Sequence, residues 1–175
     1  MRNSSFVIEF LKDPKQIGTF TQSSKHLAKQ VAKEIDGSTE VVEFGAGAGS
    51  VTREILKRLP ENGRLICFEI NPKFCEHLEK INDSRLRVIN DDAKNCKRYI
   101  DNIECIVSGL PLTLFAKPKR EKILDITSKS KRYVQLQYTP LLTKKMKNYF
   151  PDVKMKFVPQ NFPPAFIHVC RSFVR

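Results

Sequence analysis

Residues 41–51 read Val-Val-Glu-Phe-Gly-Ala-Gly-Ala-Gly-Ser-Val, an apolar run followed by three alternate glycines and the start of a helical pattern. The chain has only 7 glycines, so this concentration marks a special turn. Glycine lets the backbone turn sharply and approach a ligand closely, and the helix that follows presents free N–H groups at its positive end. The run therefore predicts a strand, a ligand-binding loop over Gly45–Gly49, and a helix.

Two nucleotide-binding loops do not match this glycine loop. The dinucleotide fingerprint requires a glycine where Ser50 stands, and a phosphate-binding P-loop requires a Gly-Lys-Ser/Thr ending that is absent. The alternative for an isolated glycine loop is a tight turn from strand to helix without a ligand.

Apolar runs bounded by turn-forming residues recur along the chain and predict short buried strands. They lie at residues 40–44, 64–69, 85–89, 103–107, 133–138, 153–158 and 166–170. Helical patterns separate the first of them, for example Leu27, Val31 and Ile35 at a spacing of four. Alternating strands and helices predict a parallel sheet covered by helices on both faces. The loop between the last two strands is too short for a crossover helix, so those strands must pair antiparallel.

Helix starts are predicted from capping residues. Ser23 or Ser24 is expected to open the first helix, and Asn71 followed by Pro72 is expected to open a later one.

Acidic residues follow two further strands at the same predicted edge of the sheet. Glu69 comes directly after Phe68, and the third strand ends at Asn90, Asp91 and Asp92. Because parallel strands end at one edge, these carboxylates are expected beside the glycine loop. Glu69 can accept bonds from two ribose hydroxyls, and Asp92 can accept one from an adenine amino group. The alternative for either residue alone is a helix N-cap or a solvated turn.

The sequence resembles S-adenosylmethionine-dependent methyltransferases, whose first motif is similar to Glu43-Phe44-Gly45-Ala46-Gly47-Ala48-Gly49. The resemblance implies one α/β domain over residues 1–175, with a Rossmann-like, seven-stranded, mostly parallel sheet whose last strand is antiparallel. It implies cofactor-binding roles for Gly45, Ala46 and Gly47 beside the methionine moiety, Glu69 on the ribose, Asp92 with Ala93 at the adenine, and Gly18, Glu43, Ile70 and Ser108 in the same site.

The predicted fourth strand runs into Ser108-Gly109-Leu110-Pro111, the acceptor loop, where amine-methylating relatives place a short loop beside the transferring methyl group. Methyl transfer is an in-line displacement, so the enzyme chiefly has to align an unprotonated nitrogen. Main-chain carbonyls and Ser108 can accept polar contacts from that nitrogen. The alternative is a tight strand exit without chemistry.

One candidate subfamily is the ribosomal RNA adenine dimethylases. The chain resembles them through residues 17–22, the glycine motif, Asp92-Ala93 and Leu110-Pro111. It departs from them at Gly109 and Leu112, where they carry Asn and an aromatic residue that stacks on the flipped adenine. It also has no residues left for their helical RNA-recognition domain.

The bacterial phospholipid N-methyltransferases are the closer resemblance, from about Phe6 to Arg171. It rests on four segments, which are Ile17-Gly18 with residues 22–24, residues 107–111, residues 135–140 and residues 161–165. It implies methylation of the phosphatidylethanolamine amine. Tyr138 then offers an aromatic face to a growing quaternary ammonium, or alternatively is an ordinary packing residue.

Charge points to a polyanionic partner for the second half of the chain. Residues 1–93 hold 14 basic and 14 acidic side chains, whereas residues 94–175 hold 17 basic and 5 acidic ones, so the net charge of +12 lies entirely in the latter. An anionic membrane surface, with its phospholipid substrate, and RNA are the two candidates. A nucleic-acid-binding module without catalytic activity, or a merely lysine-rich surface, is the alternative.

Residues 1–36 are predicted to form a helical lid or membrane-contact segment, and residues 37–175 the catalytic core. Phe6, Val7, Phe10 and Leu11 make one apolar stripe suited to an interfacial helix, although such a stripe can also pack on the domain. Without a signal peptide or a long apolar run, the expected location is the cytoplasm, with peripheral contact to the inner face of the membrane. Five cysteines without CxxC spacing form no recognisable metal set and are interpreted as buried thiols.

Overall fold

The computed structural model describes residues 17–161 and 163–172, with side chains from Lys25 onward. The strands are β1 (Glu40–Phe44), β2 (Arg64–Phe68), β3 (Leu86–Ile89), β4 (Cys105–Ser108), β5 (Arg132–Gln137), β6 (Asp152–Val158) and β7 (Ala165–Arg171). The helices are α1 (Ile17–Lys33), α2 (Ser50–Leu56), α3 (Pro72–Glu79), α4 (Lys117–Thr127) and α5 (Thr143–Met146), with 3₁₀ turns at Ala93–Arg98 and Leu112–Leu114.

The seven strands form one sheet in the order β3-β2-β1-β4-β5-β7-β6. The first five are mutually parallel, and β7 is inserted antiparallel between β5 and β6. The predicted sheet and its antiparallel last strand are therefore confirmed. Strand order reverses between β1 and β4, and ligands of such sheets bind outside the carboxyl ends of the strands at that point.

Each face of the sheet has its own hydrophobic core. Val31 and Ile35, from and just after α1, pack with Ile55 of α2 and Leu78 of α3 against one face. Ile123 and Leu124 of α4 and Met146 of α5 cover the other. Neighbouring strand residues alternate between the cores, as Val41 and Val42 do, so the central strands are apolar on both sides.

Helix α3 begins as the sequence predicts, because the Asn71 side chain accepts a hydrogen bond of 3.0 Å from the Lys73 amide and Pro72 occupies the first turn. The prediction for α1 is wrong. That helix begins at Ile17, so Ser23 and Ser24 lie inside it. All five cysteines are buried thiols, which confirms their interpretation. The apolar stripe at residues 6–11 and Phe162 lie outside the described residues.

Candidate active site

Three cavities meet at the carboxyl ends of the central strands. The glycine-loop cavity, of about 170 Å³, is lined by residues that include Val31, Gly45, Ala46 and Ser108. The carboxylate cavity, of about 290 Å³, is lined by Glu69, Asp92 and Lys119 among others. The outer cavity, of about 450 Å³, is lined by residues that include Phe74, Gln137 and Tyr138. Gly109 lines all three, so the loop after β4 is their common wall.

Size alone does not identify this site. A larger depression of about 560 Å³ lies around Glu40, Arg64 and Glu104. Those residues mark the amino ends of the strands, which is the opposite edge from the one where parallel α/β sheets bind ligands. The three connected cavities are therefore the candidate site.

The glycine loop is held in a conformation that other residues rarely adopt. Gly45, Gly47 and Gly49 have φ angles of 74°, 53° and 79°. A Cβ atom on Gly45 would lie 2.9 Å from Leu110 Cδ2, whereas one on Gly47 would meet nothing within 4 Å. Gly45 thus permits close packing on Leu110 of the loop after β4, and Gly47 has open space where a side chain would lie.

Glu69 connects the glycine loop to the start of α3. Its Oε2 accepts a hydrogen bond of 2.9 Å from the Gly47 amide, and its Oε1 accepts one of 2.9 Å from the Asn71 amide. The residue is only 7% exposed. A carboxylate offers about four acceptor positions, so two remain for ligand hydroxyls. The residues present therefore fit a ribose diol at this point.

Asp92 performs the capping role that was its alternative interpretation, and it also lines the carboxylate cavity. Its Oδ1 accepts a hydrogen bond of 3.0 Å from the Lys94 amide, and its Oδ2 forms an ion pair of 2.9 Å with Lys119 Nζ. Burial raises the pKa of this carboxyl, but the bonds from Lys119 and Lys94 outweigh it, so the pKa lies below its usual value. Ala93, buried in the same 3₁₀ turn, lines the cavity beside it.

Glu43 lies beneath the glycine loop, buried and with one edge on the glycine-loop cavity. Its Oε2 accepts hydrogen bonds of 2.7 Å from Thr52 Oγ1 and 3.2 Å from Cys67 Sγ. Burial raises the pKa of this carboxyl to about 7, against the lowering effect of those two bonds. Burial likewise raises the pKa of the Cys67 thiol. A cation in the glycine-loop cavity would favour ionisation of Glu43.

The predicted acceptor loop is fixed by hydrogen bonds from β1 and β5. The Gly109 amide donates to the Phe44 carbonyl at 3.0 Å. The Leu110 carbonyl accepts hydrogen bonds of 3.0 Å from Gln135 Nε2 and 3.2 Å from Gln137 Nε2. Ser108 Oγ accepts a hydrogen bond of 3.2 Å from the Leu110 amide. Ser108 is fully buried and lines the glycine-loop cavity. The loop is thus a rigid wall between the cavities.

Most of the other predicted residues reach the same site. Ala46 lines the glycine-loop cavity, Ile70 and Pro111 line both of the others, and Tyr138 lines the outer cavity. Burial raises the pKa of the Tyr138 hydroxyl, and the ring packs partly against the core. Gly18 lies in the first turn of α1, where the surroundings of the residues are not described.

Sequence reasoning missed several residues of the site. Lys119 joins it from α4, pairing with Asp92 and lying 4.6 Å from the Phe115 ring centroid. Gln135 and Gln137 belong to a recognised segment, but their contacts with the acceptor loop were not foreseen. The available signal was their spacing of two, which places both on the same side of β5.

Comparison with known proteins agrees with this geometry. Residues 41–130 match the family model described as "Methyltransferase domain". The matched range includes the glycine loop, Glu69, Asp92 and the acceptor loop. The chain belongs to the methyltransferase domain family. Its cofactor is S-adenosylmethionine, as the sequence resemblance implied.

The methyltransferase is similar both to a lipid N-methyltransferase and to ribosomal RNA methyltransferases. It is 27% identical to an ornithine lipid N-methyltransferase of Singulisphaera acidiphila, over 95% of this chain and 94% of that one. It is 32% identical to the ribosomal RNA small subunit methyltransferase A of Thermotoga petrophila, over 71% of this chain but only 48% of that one. In fold it resembles the 1,6-didemethyltoxoflavin-N1-methyltransferase of Burkholderia thailandensis, with a TM-score of 0.69, 14% identity, and coverage of 97% of this chain and 86% of that one.

When bound, S-adenosylmethionine supplies a methyl carbon activated by a sulfonium centre. The enzyme's own contribution is to align the acceptor with that carbon. No helix within residues 17–161 and 163–172 is long and apolar enough to cross a membrane.

Proposed function

We propose that the methyltransferase transfers methyl groups to the amine of a membrane lipid. The observation that carries the proposal is the apolar rim of the outer cavity, formed by Ile70, Phe74 and Leu114. These side chains are 67%, 40% and 39% exposed. Such a rim suits a lipid substrate. The rim would contact the membrane while the headgroup of the lipid enters the cavity. The relative from Singulisphaera acidiphila, similar over nearly its whole length, supports the same class of substrate.

The cofactor roles belong to this proposal. Glu69 would hold the ribose hydroxyls, Asp92 with Ala93 would meet the adenine, and Gly45–Gly47 would lie beside the methionine moiety. The free acceptor positions on Glu69 and the open space at Gly47 support these assignments.

Two lipid headgroups are candidates. The sequence resemblance implies phosphatidylethanolamine, which carries a phosphate two carbons from its amine, whereas an ornithine lipid carries a carboxylate four carbons from its side-chain amine. Among the described residues that line the outer cavity there is no lysine, arginine or histidine. A phosphate brought into that cavity would lack a positive partner, which is costly in a partly buried site. The lining therefore favours an aminolipid whose anionic group lies far enough from the amine to stay outside the cavity, as the longer ornithine side chain allows.

Membrane association completes the proposal. Lys117, Lys144 and Lys145, the last paired with Glu121, line a groove together with Leu141. Leu141 is highly exposed and lies two residues beyond Thr139 of the outer cavity. Lysines in that position would attract anionic lipid while the rim inserts. The excess of basic residues after residue 93 acts in the same direction.

Labelled S-adenosylmethionine tests the proposal. The enzyme would be incubated with vesicles containing ornithine lipid, with vesicles containing phosphatidylethanolamine, and with ribosomal RNA. Label is expected in lipid and chiefly in ornithine lipid. Equal labelling of phosphatidylethanolamine would refute the preference for ornithine lipid, and label in RNA alone would refute the lipid proposal.

RNA adenine is the second candidate substrate because of the 32% identity to the Thermotoga petrophila enzyme. The non-catalytic alternative is set aside because the chain is a methyltransferase.

A further inference from the structure

Two oxygen atoms of residues lining the outer cavity lack hydrogen-bond donors among the described residues. Gln137 Oε1 accepts no bond from them, although the side chain is only 3% exposed. Thr139 Oγ1 is buried and has no partner among them either. Buried polar atoms are nearly always hydrogen-bonded in proteins. Thr139 Oγ1 is such a buried atom, and Gln137 Oε1 is a second acceptor without a donor in a residue that lines the same cavity, so the two together point to a ligand that donates hydrogen bonds.

The orientation of the Gln137 amide is fixed by its neighbour. Its inner end lies 3.2 Å from the Leu110 carbonyl oxygen. A carbonyl oxygen can only accept, so that end must be Nε2 and the other end must be Oε1. Gln135 differs in this respect, because its own Oε1 accepts from the Tyr133 hydroxyl and its Nε2 contacts only backbone carbonyls. Of the two glutamines, only Gln137 lines the outer cavity.

We propose that Gln137 is a catalytic residue whose Oε1, with Thr139 Oγ1, accepts the N–H bonds of the amine to be methylated. This inference rests on the proposed function. A primary amine held by its two N–H bonds directs its lone pair away from both oxygens. The Leu110 carbonyl cannot do this work, because it already accepts from Gln135, Gln137 and the Leu112 amide.

The transfer forms one bond and breaks another. The nitrogen lone pair forms a new N–C bond as the C–S bond breaks, and the electron pair of that bond goes to sulfur, which becomes a neutral thioether. The nitrogen becomes an ammonium and releases one proton to solvent. Neutral oxygens suit this task, since a free carboxylate would stabilise the protonated amine, which cannot attack.

Dependence on Gln137 must fall as methyl groups accumulate. An unprotonated primary amine has two N–H bonds, a monomethylated amine has one and a dimethylated amine has none. A residue that only braces the acceptor loop would affect all three transfers equally. The number of N–H bonds therefore separates recognition of the amine from support of the fold.

The test compares Gln137→Met with Gln135→Met, which removes bonds to the loop, to the Leu136 carbonyl and to the Tyr133 hydroxyl but changes no residue that lines the outer cavity. Initial rates would be measured on vesicles that hold the accepted lipid as its primary amine or as its dimethylated form. Gln137→Met also removes the bond from Nε2 to the Leu110 carbonyl, so it is expected to slow every transfer by a common factor and to slow the first about tenfold more than the last, whereas Gln135→Met should slow both alike. Equal slowing of both transfers by Gln137→Met would overturn the inference.

A binding measurement keeps the inference separate from the lipid proposal. Octylamine and octyltrimethylammonium share a chain and a charge, but only the first has N–H bonds. Calorimetric titration in the presence of S-adenosylhomocysteine should show that Gln137→Met and Thr139→Val each weaken octylamine binding several-fold, without changing octyltrimethylammonium binding. Unchanged octylamine affinity in Gln137→Met would refute the role of Gln137 even if lipid is methylated. The expected loss would support it even if no lipid takes label.

Discussion

The two sides of the site differ in how completely the protein satisfies its own polar groups. On the cofactor side, both oxygens of Glu69 and both oxygens of Asp92 are hydrogen-bonded within the chain. On the outer side, Gln137 Oε1 and Thr139 Oγ1 have no donors within the described part of the chain, and apolar side chains face solvent at the rim. The cofactor side is thus preorganised, whereas the outer side is completed by what binds there.

The difference reflects two tasks. A cofactor that is the same in every turnover is bound best by groups that need no rearrangement. An acceptor that changes its number of N–H bonds between transfers is served by acceptors that can be left partly unused. Substitutions on the two sides should therefore affect different functions.

The largest effect is expected at Glu69, on the cofactor side. Glu69→Ala should weaken S-adenosylhomocysteine by at least about a hundredfold, because two hydroxyls lose a charged acceptor whose hydrogen bonds contribute roughly 1.5–3 kcal/mol each. Calorimetric titration gives the affinity, and Glu76→Ala, exposed on α3, is the control. Unchanged affinity would refute the assignment of Glu69 to the ribose and with it the contrast between the two sides.

Glu43, on the cofactor side, is expected to make the free energy of unfolding of the protein depend on pH. Its pKa is raised by burial from 4.5 to about 7, so the folded protein keeps a proton that the unfolded chain has already released. The stabilisation by the neutral carboxyl is therefore complete below about pH 4.5 and is lost as pH rises to about 7, a change of about 3 kcal/mol. Glu43→Gln should abolish most of that dependence. Urea unfolding of the wild type and the variant at about pH 4.5 and about pH 7 gives the change in the free energy of unfolding. An equal change in both proteins would contradict the prediction.

The fold could be predicted further than the site. The buried strands and the short final loop were sufficient to predict the sheet and its antiparallel pair, because strand patterns and loop lengths are local properties. Helix α4 was not predicted, since its first half, Lys117–Lys122, is highly polar and its apolar residues are confined to its last turns. Its stability comes from packing Ile123 and Leu124 against the sheet, which periodicity alone does not reveal.

Within the site, predictability followed the same division. The glycine loop, Glu69 and Asp92 could be placed because each directly follows or ends a strand, and strand ends meet at one edge. The Lys119–Asp92 pair joins residues 27 positions apart, and the Gln137–Leu110 bond joins residues equally distant. Such contacts depend on how α4 and β5 pack. The spacing of two placed both glutamines on one side of β5, but it did not indicate their partner.

The outer rim should matter for vesicles and not for the cofactor. Changing Ile70 and Phe74 to Ser together is expected to weaken partition onto anionic vesicles about thirtyfold, because burying partly exposed side chains of this size contributes about 1 kcal/mol each. Met155 and Phe157 on edge strand β6 are similarly exposed and provide the matched control pair. Co-sedimentation would measure binding. If both pairs of substitutions weaken vesicle binding equally, the rim is not a specific membrane contact.

Salt should reduce but not abolish vesicle binding by the wild type. Binding to RNA would instead fall steeply with salt and would not change when the rim is substituted.

A comparable prediction concerns the apolar stripe at residues 6–11, which the structure does not describe. Replacing Phe6 and Phe10 by Ser should also weaken vesicle binding if this segment inserts. Full vesicle binding by that variant would assign the membrane contact to the rim alone.

The smallest effect is expected for a single methyl group on the glycine loop. Gly47 and Gly37 have φ angles of 53° and 86°, and a Cβ atom at either position would meet nothing within 4 Å. Alanine at either position should therefore cost a similar folding free energy, about 1–2 kcal/mol, for its left-handed backbone. Only Gly47 adjoins the cofactor side, through its bond to Glu69. Gly47→Ala should thus weaken S-adenosylhomocysteine about fivefold beyond any change seen in Gly37→Ala. Thermal unfolding and calorimetric titration of both variants separate the two quantities. If the two variants bind equally well, the open space at Gly47 is solvent, and the close approach of cofactor to this loop is refuted.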